Sequence, residues 1–262
     1  MPDLEQYLRE SRLAGDVATS RQSNVSHAAK FAAGIDAYLF GLPPRRPWSY
    51  EDVVALMAER VGIDPDPARD TGADTIDAAK TARALERFRD RVAQAADRRE
   101  RVLLASGHPD GVIEVQLALV PALRRAGCEV LTPAKGASFA VETSYADADA
   151  ELRLSYLDSV ATCADRDDVT VHSHSPVGME LMLKALASDG VAPPDLVIAD
   201  HGFAGAAAAA GIDVVCFADS NDPGLFVAEA EGRVLVTVPI DDNVDPHLYA
   251  PVSEYVLAGW SA

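Results

Sequence analysis

Short apolar runs alternate with longer amphipathic stretches from Arg101 to the end of the chain. The runs are rich in valine, isoleucine and leucine and lie at residues 102–105, 130–131, 169–171, 196–199, 214–218 and 234–238. Alternation of this kind is typical of βαβ units, which assemble a parallel sheet with helices on both faces. The sequence therefore predicts an α/β fold with a mostly parallel, doubly wound, Rossmann-like sheet.

Residues 152–163 depart from this pattern because apolar and polar side chains alternate along them. The segment runs into Asp165-Arg166-Asp167-Asp168, a polar cluster of the kind found in turns. Strict alternation followed by a turn is typical of half-buried strands joined in a hairpin. We therefore expect a β-hairpin here.

Residues 1–99 are charged, poor in strand signals and periodic at helical spacing. Ser49, with Asp52 three residues later, matches a capping box at a helix start. A further helix is predicted from about Asp77 to Arg99, with one apolar face. We expect two parts, a helical region over residues 1–99 that packs over the site and a Rossmann-like domain over residues 100–262.

The charge of the chain excludes several kinds of partner. Its 262 residues carry a formal net charge of -18 at pH 7, which repels phosphate backbones and anionic lipid. We therefore expect a small-molecule substrate and neither nucleic acid nor a membrane. There is no apolar stretch long enough to cross a bilayer and no signal segment, which predicts a cytoplasmic protein. The sequence leaves homo-oligomer formation open.

Histidine and aspartate residues gather where the predicted strands stop, at residues 106–110, 172–176, 200–202, 219–223 and 241–243. In an open α/β sheet, ligands bind at the carboxyl ends of the strands, where loops lead into helix N-termini. The clusters therefore predict one active site built from several strand ends. The catalytic candidates are His108, His174, His201 and Asp200.

His172 and His174 are two residues apart, so in an extended strand both can converge on one metal ion or phosphate. The competing interpretation is a capping loop. Asp241 and Asp242 can bind a divalent ion or form a solvated turn, and Asp222 can instead cap the helix that follows it. The candidate ligands for a divalent ion (Mg²⁺, Mn²⁺ or Zn²⁺) are His172, His174, Asp200, Asp219, Asp222 and Asp241.

An anionic substrate needs local positive charge or N–H groups in so acidic a chain. Gly107 ends a predicted strand just before a helix, so backbone N–H groups face whatever binds there. Ser175 precedes a proline, and the pair is a good helix start at a second strand end. Arginines of the helical region can hold phosphate bidentately. The substrate-binding candidates are Arg9, Arg12, Arg21, Gly107, Ser175 and Lys135.

Seven motifs are spread along nearly the whole chain: residues 9–19, Asp74-Thr75-Ile76-Asp77, Gly107-His108-Pro109, His172-Ser173-His174-Ser175-Pro176, and residues 199–206, 217–223 and 238–243. Together they resemble a small bacterial family named "phosphatase", whose members are about this long. The resemblance implies phosphatase activity. In that family threonine commonly follows Gly-His-Pro, and Asp110 at this position favours a metal contact over a phosphate contact.

The leading hypothesis is a hydrolase that cleaves a small phosphorylated metabolite, a phosphomonoester, with the help of a divalent metal ion. Metal ions reconcile an anionic substrate with strand ends rich in carboxylates. Two alternatives stay open. One is a metal-dependent lyase, cyclase or isomerase acting on a small carboxylate, with His174 or His201 as the base. The other is a protein that binds a phosphorylated metabolite without turnover.

Overall fold

The computed structural model describes residues 3–141, 151–258 and 260. The strands in these residues are β1 (Gly15–Ser20), β2 (Ala73–Ile76), β3 (Arg101–Ala105), β4 (Glu129–Val130), β5 (Ser138–Ala140), β6 (Glu151–Leu157), β7 (Val160–Ala164), β8 (Thr170–Val171), β9 (Leu196–Ala199), β10 (Val214–Ala218) and β11 (Val236–Pro239). The helices are α1 (Leu4–Glu10), α2 (Arg21–Ala32), α3 (Asp36–Leu39), α4 (Tyr50–Arg60), α5 (Ala78–Arg98), α6 (Ile113–Ala126), α7 (Val177–Ser188), α8 (His201–Ala209), α9 (Pro223–Ala230) and α10 (Ala250–Leu257). A 3₁₀ helix spans Pro246–Tyr249.

The central sheet has the strand order β11-β10-β9-β3-β7-β6-β5, with β4 beside β3 and β8 beside β7. Strands β11, β10, β9, β3 and β7 run parallel, and β6 is antiparallel to both β7 and β5. The chain leaves β3 on the β7 side and later returns to its other side at β9. The strand order thus reverses at β3, and such a reversal marks the ligand-binding edge of a doubly wound sheet.

The predicted fold class is confirmed, since the sheet is mostly parallel and has helices on both faces. Helices α1, α6 and α10 each contact α5, and α7, α8 and α9 form a second group. Members of both groups contact the strands. Because both faces are covered, the central strands are apolar throughout, as at Leu196–Ala199. The predicted hairpin is also confirmed, with β6 paired to β7 and Leu157 opposite Val160.

The first hundred residues contain more than helices. Helix α4 begins with the predicted capping box of Ser49 and Asp52, and α5 begins after Asp77, as expected. In addition, β1 and β2 form a separate two-stranded antiparallel sheet, which the sequence did not predict. Their residues are polar and partly exposed, so no apolar alternation announced them. The division at residue 100 stays a prediction, because one apolar core includes residues of both parts.

No helix within the described residues has both the length and the apolar character needed to cross a membrane.

Candidate metal and phosphate site

Four parallel strands deliver polar residues to the same edge of the sheet. β3, β9, β10 and β11 each end there, and the loops after them carry His108, His201 and the predicted aspartates. His172 and His174 instead follow β8, which is antiparallel to β7. A cavity of about 240 Å³ opens at this edge. It brings together residues from seven separate stretches of the chain: Thr19, His27, His108, His172, His174, His201, Asp219, Asn221, Asp222, Asp242 and Asn243.

The turn from β9 into α8 places His201 at the cavity. His201 has a φ of 43°, in the left-handed region that non-glycine residues seldom adopt. Gly202 follows with no room for a side chain, because a Cβ there would overlap the backbone carbonyl of His174. The Asp-His-Gly motif is therefore a tight strand-to-helix turn that presses two histidine-bearing loops together.

Asp200 lies behind His201 and orients it. The carboxylate is fully buried and accepts hydrogen bonds from Ser106 Oγ at 2.6 Å, the Gly107 N–H at 2.6 Å and Gln116 Nε2 at 3.3 Å. Its Oδ1 also lies 3.0 Å from His201 Nδ1. A carboxylate on one imidazole nitrogen fixes the ring and leaves the other nitrogen to bind. Asp200, predicted as a ligand, thus sits one layer behind the cavity.

Three histidine rings surround one point of the cavity. The ring centroids of His172 and His174 lie 4.8 Å apart, and those of His174 and His201 lie 4.7 Å apart. Each of the three histidines has one ring nitrogen that lies within 4.8 Å of a ring nitrogen of each of the other two. Burial, together with the neighbouring His201, lowers the pKa of His174 to about 3. His174 is therefore neutral at physiological pH, which is the form that ligates metal.

Buried carboxylates face these histidines. His201 Nε2 lies 3.4 Å from Asp222 Oδ2 and 3.7 Å from Asp242 Oδ2. Burial favours the neutral imidazole of His201, but the Asp222 and Asp200 carboxylates outweigh it and raise the pKa of His201. For Asp222, burial acts to raise the pKa, but the attraction of His201 is stronger, so the pKa of Asp222 lies below its ordinary value.

The remaining carboxylates of the cluster repel one another. Burial, and then the nearby Asp242 and Asp241, raise the pKa of Asp219 well above its ordinary value. Burial raises the pKa of Asp242 to about 8, with Asp222 among the groups that add to the effect. Within the described residues, the ion pairs of this cluster (Asp219, Asp222, Asp241 and Asp242) are all with histidine. Such a concentration of buried acid groups is stabilised by protons or by bound cations.

His108 stands at the mouth of the cavity. Its Nδ1 lies 2.6 Å from the carbonyl oxygen of Asp110, and its Nε2 lies 3.7 Å from Asp242 Oδ1. The side chain of Asp110 is exposed and does not line the cavity. His108 is therefore held by the backbone with its second nitrogen turned inward, as a proton-transfer group requires.

The basic candidates do not reach the cavity. Arg9 is exposed and pairs with Glu5 at 3.0 Å, while Arg12 is exposed and bonds the Asp16 carbonyl. Lys135 is exposed in the connection between β4 and β5. None of the three lines the cavity.

Arg21 is fully buried but serves the fold. Its guanidinium donates to Asp74 at 3.1 Å and to the backbone carbonyls of Asp64, Asp66 and Arg69. These bonds occupy the fork that a phosphate would need, which corrects the expectation of an anion clamp. Arg21 instead anchors the segment that leads into β2.

Gly107 and Ser175 are also committed to the scaffold. The Gly107 N–H points at Asp200, and a side chain at Gly107 would overlap the Ser173 carbonyl. Ser175 is buried, and its Oγ accepts from the Val177 N–H at 3.3 Å as a helix-start contact. Both residues shape the turns that carry the histidines.

Sequence reasoning missed several residues of the site. Asp241 and Asp242 are both possible ion ligands by sequence and only Asp241 is in the predicted ligand set, whereas of the two only Asp242 lines the cavity. The hydroxyl of Thr19, at the end of β1, donates to Asp219. His27 lies on α2, with Nδ1 2.8 Å from the Asn221 carbonyl oxygen. Neither Thr19 nor His27 follows a strand of the central sheet, so the strand-end rule gave no signal for them.

The chain matches the family described as "Phosphatase" over residues 1–261, so it belongs to that family. This confirms the family that the motifs predict. A relative from Streptomyces coelicolor, named "Phosphatase SCO2771", is 44% identical over 257 residues, which are 97% of this chain and 94% of the relative. The family and the relative support a phosphatase, the class of enzyme expected from the sequence.

Proposed function

We propose that the chain hydrolyses small phosphorylated metabolites, as a phosphomonoesterase that works with a divalent metal ion (Mg²⁺, Mn²⁺ or Zn²⁺). One observation carries the proposal. A cavity in a member of a phosphatase family is lined by buried carboxylates whose described ion-pair partners are histidines. A phosphate monoester is an anion, so this cavity needs added positive charge before it can accept one.

The donors that line the cavity suit such an ion. His172, His174 and His201 supply ring nitrogens, and Asp222 and Asp242 supply carboxylate oxygens. Imidazole and carboxylate are common ligands of catalytic metals. A bound divalent ion supplies Lewis-acid polarisation of the phosphoryl group and lowers the pKa of a bound water.

The fold adds two features that favour an anion. Helices α8 and α9 begin at His201 and Pro223, directly at the cavity edge, so their N-terminal ends face it. The positive end of a helix dipole stabilises negative charge there. The cavity volume of about 240 Å³ suits a phosphoryl group with a small organic part.

His108 is the residue we assign to proton transfer. It lines the cavity but belongs to none of the histidine and aspartate groups that can hold a metal. In this role it protonates the leaving alkoxide oxygen as the P–O bond breaks. Asp200 keeps His201 oriented, and His201 in turn fixes the ligand geometry.

The test is release of inorganic phosphate from a panel of small phosphorylated metabolites, with and without Mg²⁺, Mn²⁺ or Zn²⁺. We expect release that depends on an added ion and is severely reduced in Asp222→Asn. Asp167→Asn, which alters an exposed turn, is the matched control and should equal the wild type.

Absence of phosphate release across the panel would contradict the proposal. Turnover of a small carboxylate substrate would then favour the lyase, cyclase or isomerase alternative. Binding of phosphorylated metabolites without any turnover would favour a binding protein.

A further inference from the structure

We propose that this edge of the sheet holds two divalent ions of different chemistry, side by side, one within the cavity and one where the cavity lining meets Asp241. One occupies a histidine-rich position formed by His172, His174, His201 and Asp222. The other occupies an all-carboxylate position formed by Asp219 and Asp241, and Asp242 lies between the two as a shared ligand. The use of these ions in phosphate release rests on the proposed function; their presence does not.

Three overlapping groups of donors form one continuous chain that runs from the cavity lining to Asp241. Within each group the donor atoms lie within 4.8 Å of one another, and neighbouring groups share His201 and then Asp242. His201 offers only Nε2, because Nδ1 faces Asp200, so it serves a single ion. Asp242 has two oxygens and can serve two. Three overlapping groups thus reduce to two ion positions joined at Asp242.

The distances around His201 match shared ligation better than hydrogen bonding. The contacts of its Nε2 with Asp222 Oδ2 at 3.4 Å and Asp242 Oδ2 at 3.7 Å exceed the usual hydrogen-bond range of about 2.7–3.2 Å. Two ligands that each lie about 2.1 Å from one tetrahedral ion are about 3.4 Å apart. The gap between these donors is therefore the size that one ion fills.

Asp242 gives an independent indication. Asp242 is only 6% exposed, and it lines the cavity. Among the described residues, none donates a hydrogen bond to its carboxylate, and its ion-pair contacts are His108 and His201, both at 3.7 Å. A buried carboxylate normally has a partner, so this one points to a ligand that is a cation.

The all-carboxylate position is held in place by its surroundings. Asp219 accepts from the Ser220 N–H at 2.5 Å and from the Thr19 hydroxyl. Asp241 accepts from the Ala18 N–H and the Asn243 N–H, each at 3.1 Å. These bonds fix the two carboxylates next to Asp242 but leave lone pairs on their oxygens.

The two donor sets select different ions. Oxygen-only ligands suit Mg²⁺ or Mn²⁺, whereas a position with three imidazoles prefers Zn²⁺ over Mg²⁺. We therefore expect Zn²⁺ to displace one Mn²⁺ and leave the other in place.

The test counts ions. The full chain is stripped by chelation, saturated with Mn²⁺, separated from free ions and subjected to elemental analysis and electron paramagnetic resonance. We expect two Mn²⁺ per chain, with the multiline spectrum of an exchange-coupled pair. Limiting Zn²⁺ should convert this to the spectrum of a single Mn²⁺. One ion per chain at saturation, or two ions without coupling, would overturn the proposal.

Variants assign the positions. Asp219→Asn should bind one Mn²⁺ with an uncoupled spectrum, and Asp167→Asn should keep two; two coupled ions in Asp219→Asn would also overturn the proposal. Circular dichroism reports whether each variant folds, and the wild-type count holds without any variant. Two coupled ions in a chain that releases no phosphate would contradict only the proposed function. Phosphate release by a chain that binds a single ion would contradict only this inference.

Discussion

Replacing Asp200 by asparagine changes the charge behind His201 while keeping the shape of the side chain. The amide oxygen can keep the positions facing the Gly107 N–H and His201 Nδ1. The new NH₂ group then faces Ser106 Oγ, which can accept because its hydroxyl also reaches the His108 carbonyl at 2.8 Å. Only the bond from Gln116, at 3.3 Å, loses its acceptor.

The expected effect therefore falls mainly on His201. Loss of the partner behind a metal-bound histidine typically lowers metal affinity or activity by about 10–100-fold, or about 1.4–2.7 kcal/mol. The unmatched Gln116 donor adds a loss of about 1–3 kcal/mol in the free energy of unfolding. We expect a folded Asp200→Asn variant with 10–100-fold weaker metal binding, measured by isothermal titration calorimetry, and a matching loss of phosphate release.

Asp195 provides the matched control, because it precedes the same strand that Asp200 follows. It is bonded to Arg101 near the surface, at 2.8 Å, so Asp195→Asn should leave metal affinity unchanged. If Asp200→Asn folds and binds metal as tightly as the wild type, His201 is not a ligand that depends on Asp200. That result would refute the reasoning.

Three further predictions concern stability and the separation of scaffold from site. Gly202→Ala should lower the free energy of unfolding by about 1–3 kcal/mol in urea, because the added methyl overlaps the His174 carbonyl; an unchanged value would mean that the turn relaxes freely. Arg21→Ala should lower the free energy of unfolding by about 3–5 kcal/mol, because it leaves Asp74 buried without its ion partner. A fully stable variant with a raised KM would instead support a role for Arg21 in binding the anionic substrate. In the metal-free chain, the free energy of unfolding should fall as pH rises from about 6.5 to 8. The folded state raises the pKa of Asp242 to about 8 and also raises the pKa of His201. In this range the folded state therefore holds protons on these groups that the unfolded state has released. The Tm of the stripped protein, measured across this range, checks the sign; a rising Tm would contradict it, and saturating Mn²⁺ should abolish the fall.

The sequence predicted the sheet well because its central strands are buried on both faces. A run such as Val214–Ala218 has no polar side to obscure it, and the hairpin of residues 152–163 alternates cleanly. The pair β1 and β2 was missed because its residues are polar and its partners are more than fifty residues apart. Local pattern carries no information about such a pairing.

The site was predictable as far as the strand-end rule reaches. That rule names His172, His174, His201, Asp219 and Asp222, which the structure brings to one cavity. It does not say which of two adjacent acids turns inward, so Asp242 was left out of the ligand set. It also has no means of knowing that a buried arginine is already bonded, which is why Arg21 was assigned to the substrate.

The most direct test of the central claim is the rate of phosphate release before and after removal of metal. The protein is chelated exhaustively, shown to be metal-free by elemental analysis, assayed on the best substrate of the panel, and assayed again after Mg²⁺, Mn²⁺ or Zn²⁺ is added back singly. We predict that the stripped protein stays folded but loses turnover, and that at least one ion restores it. Full activity in the verified metal-free protein would contradict the account and leave histidine chemistry alone to explain catalysis.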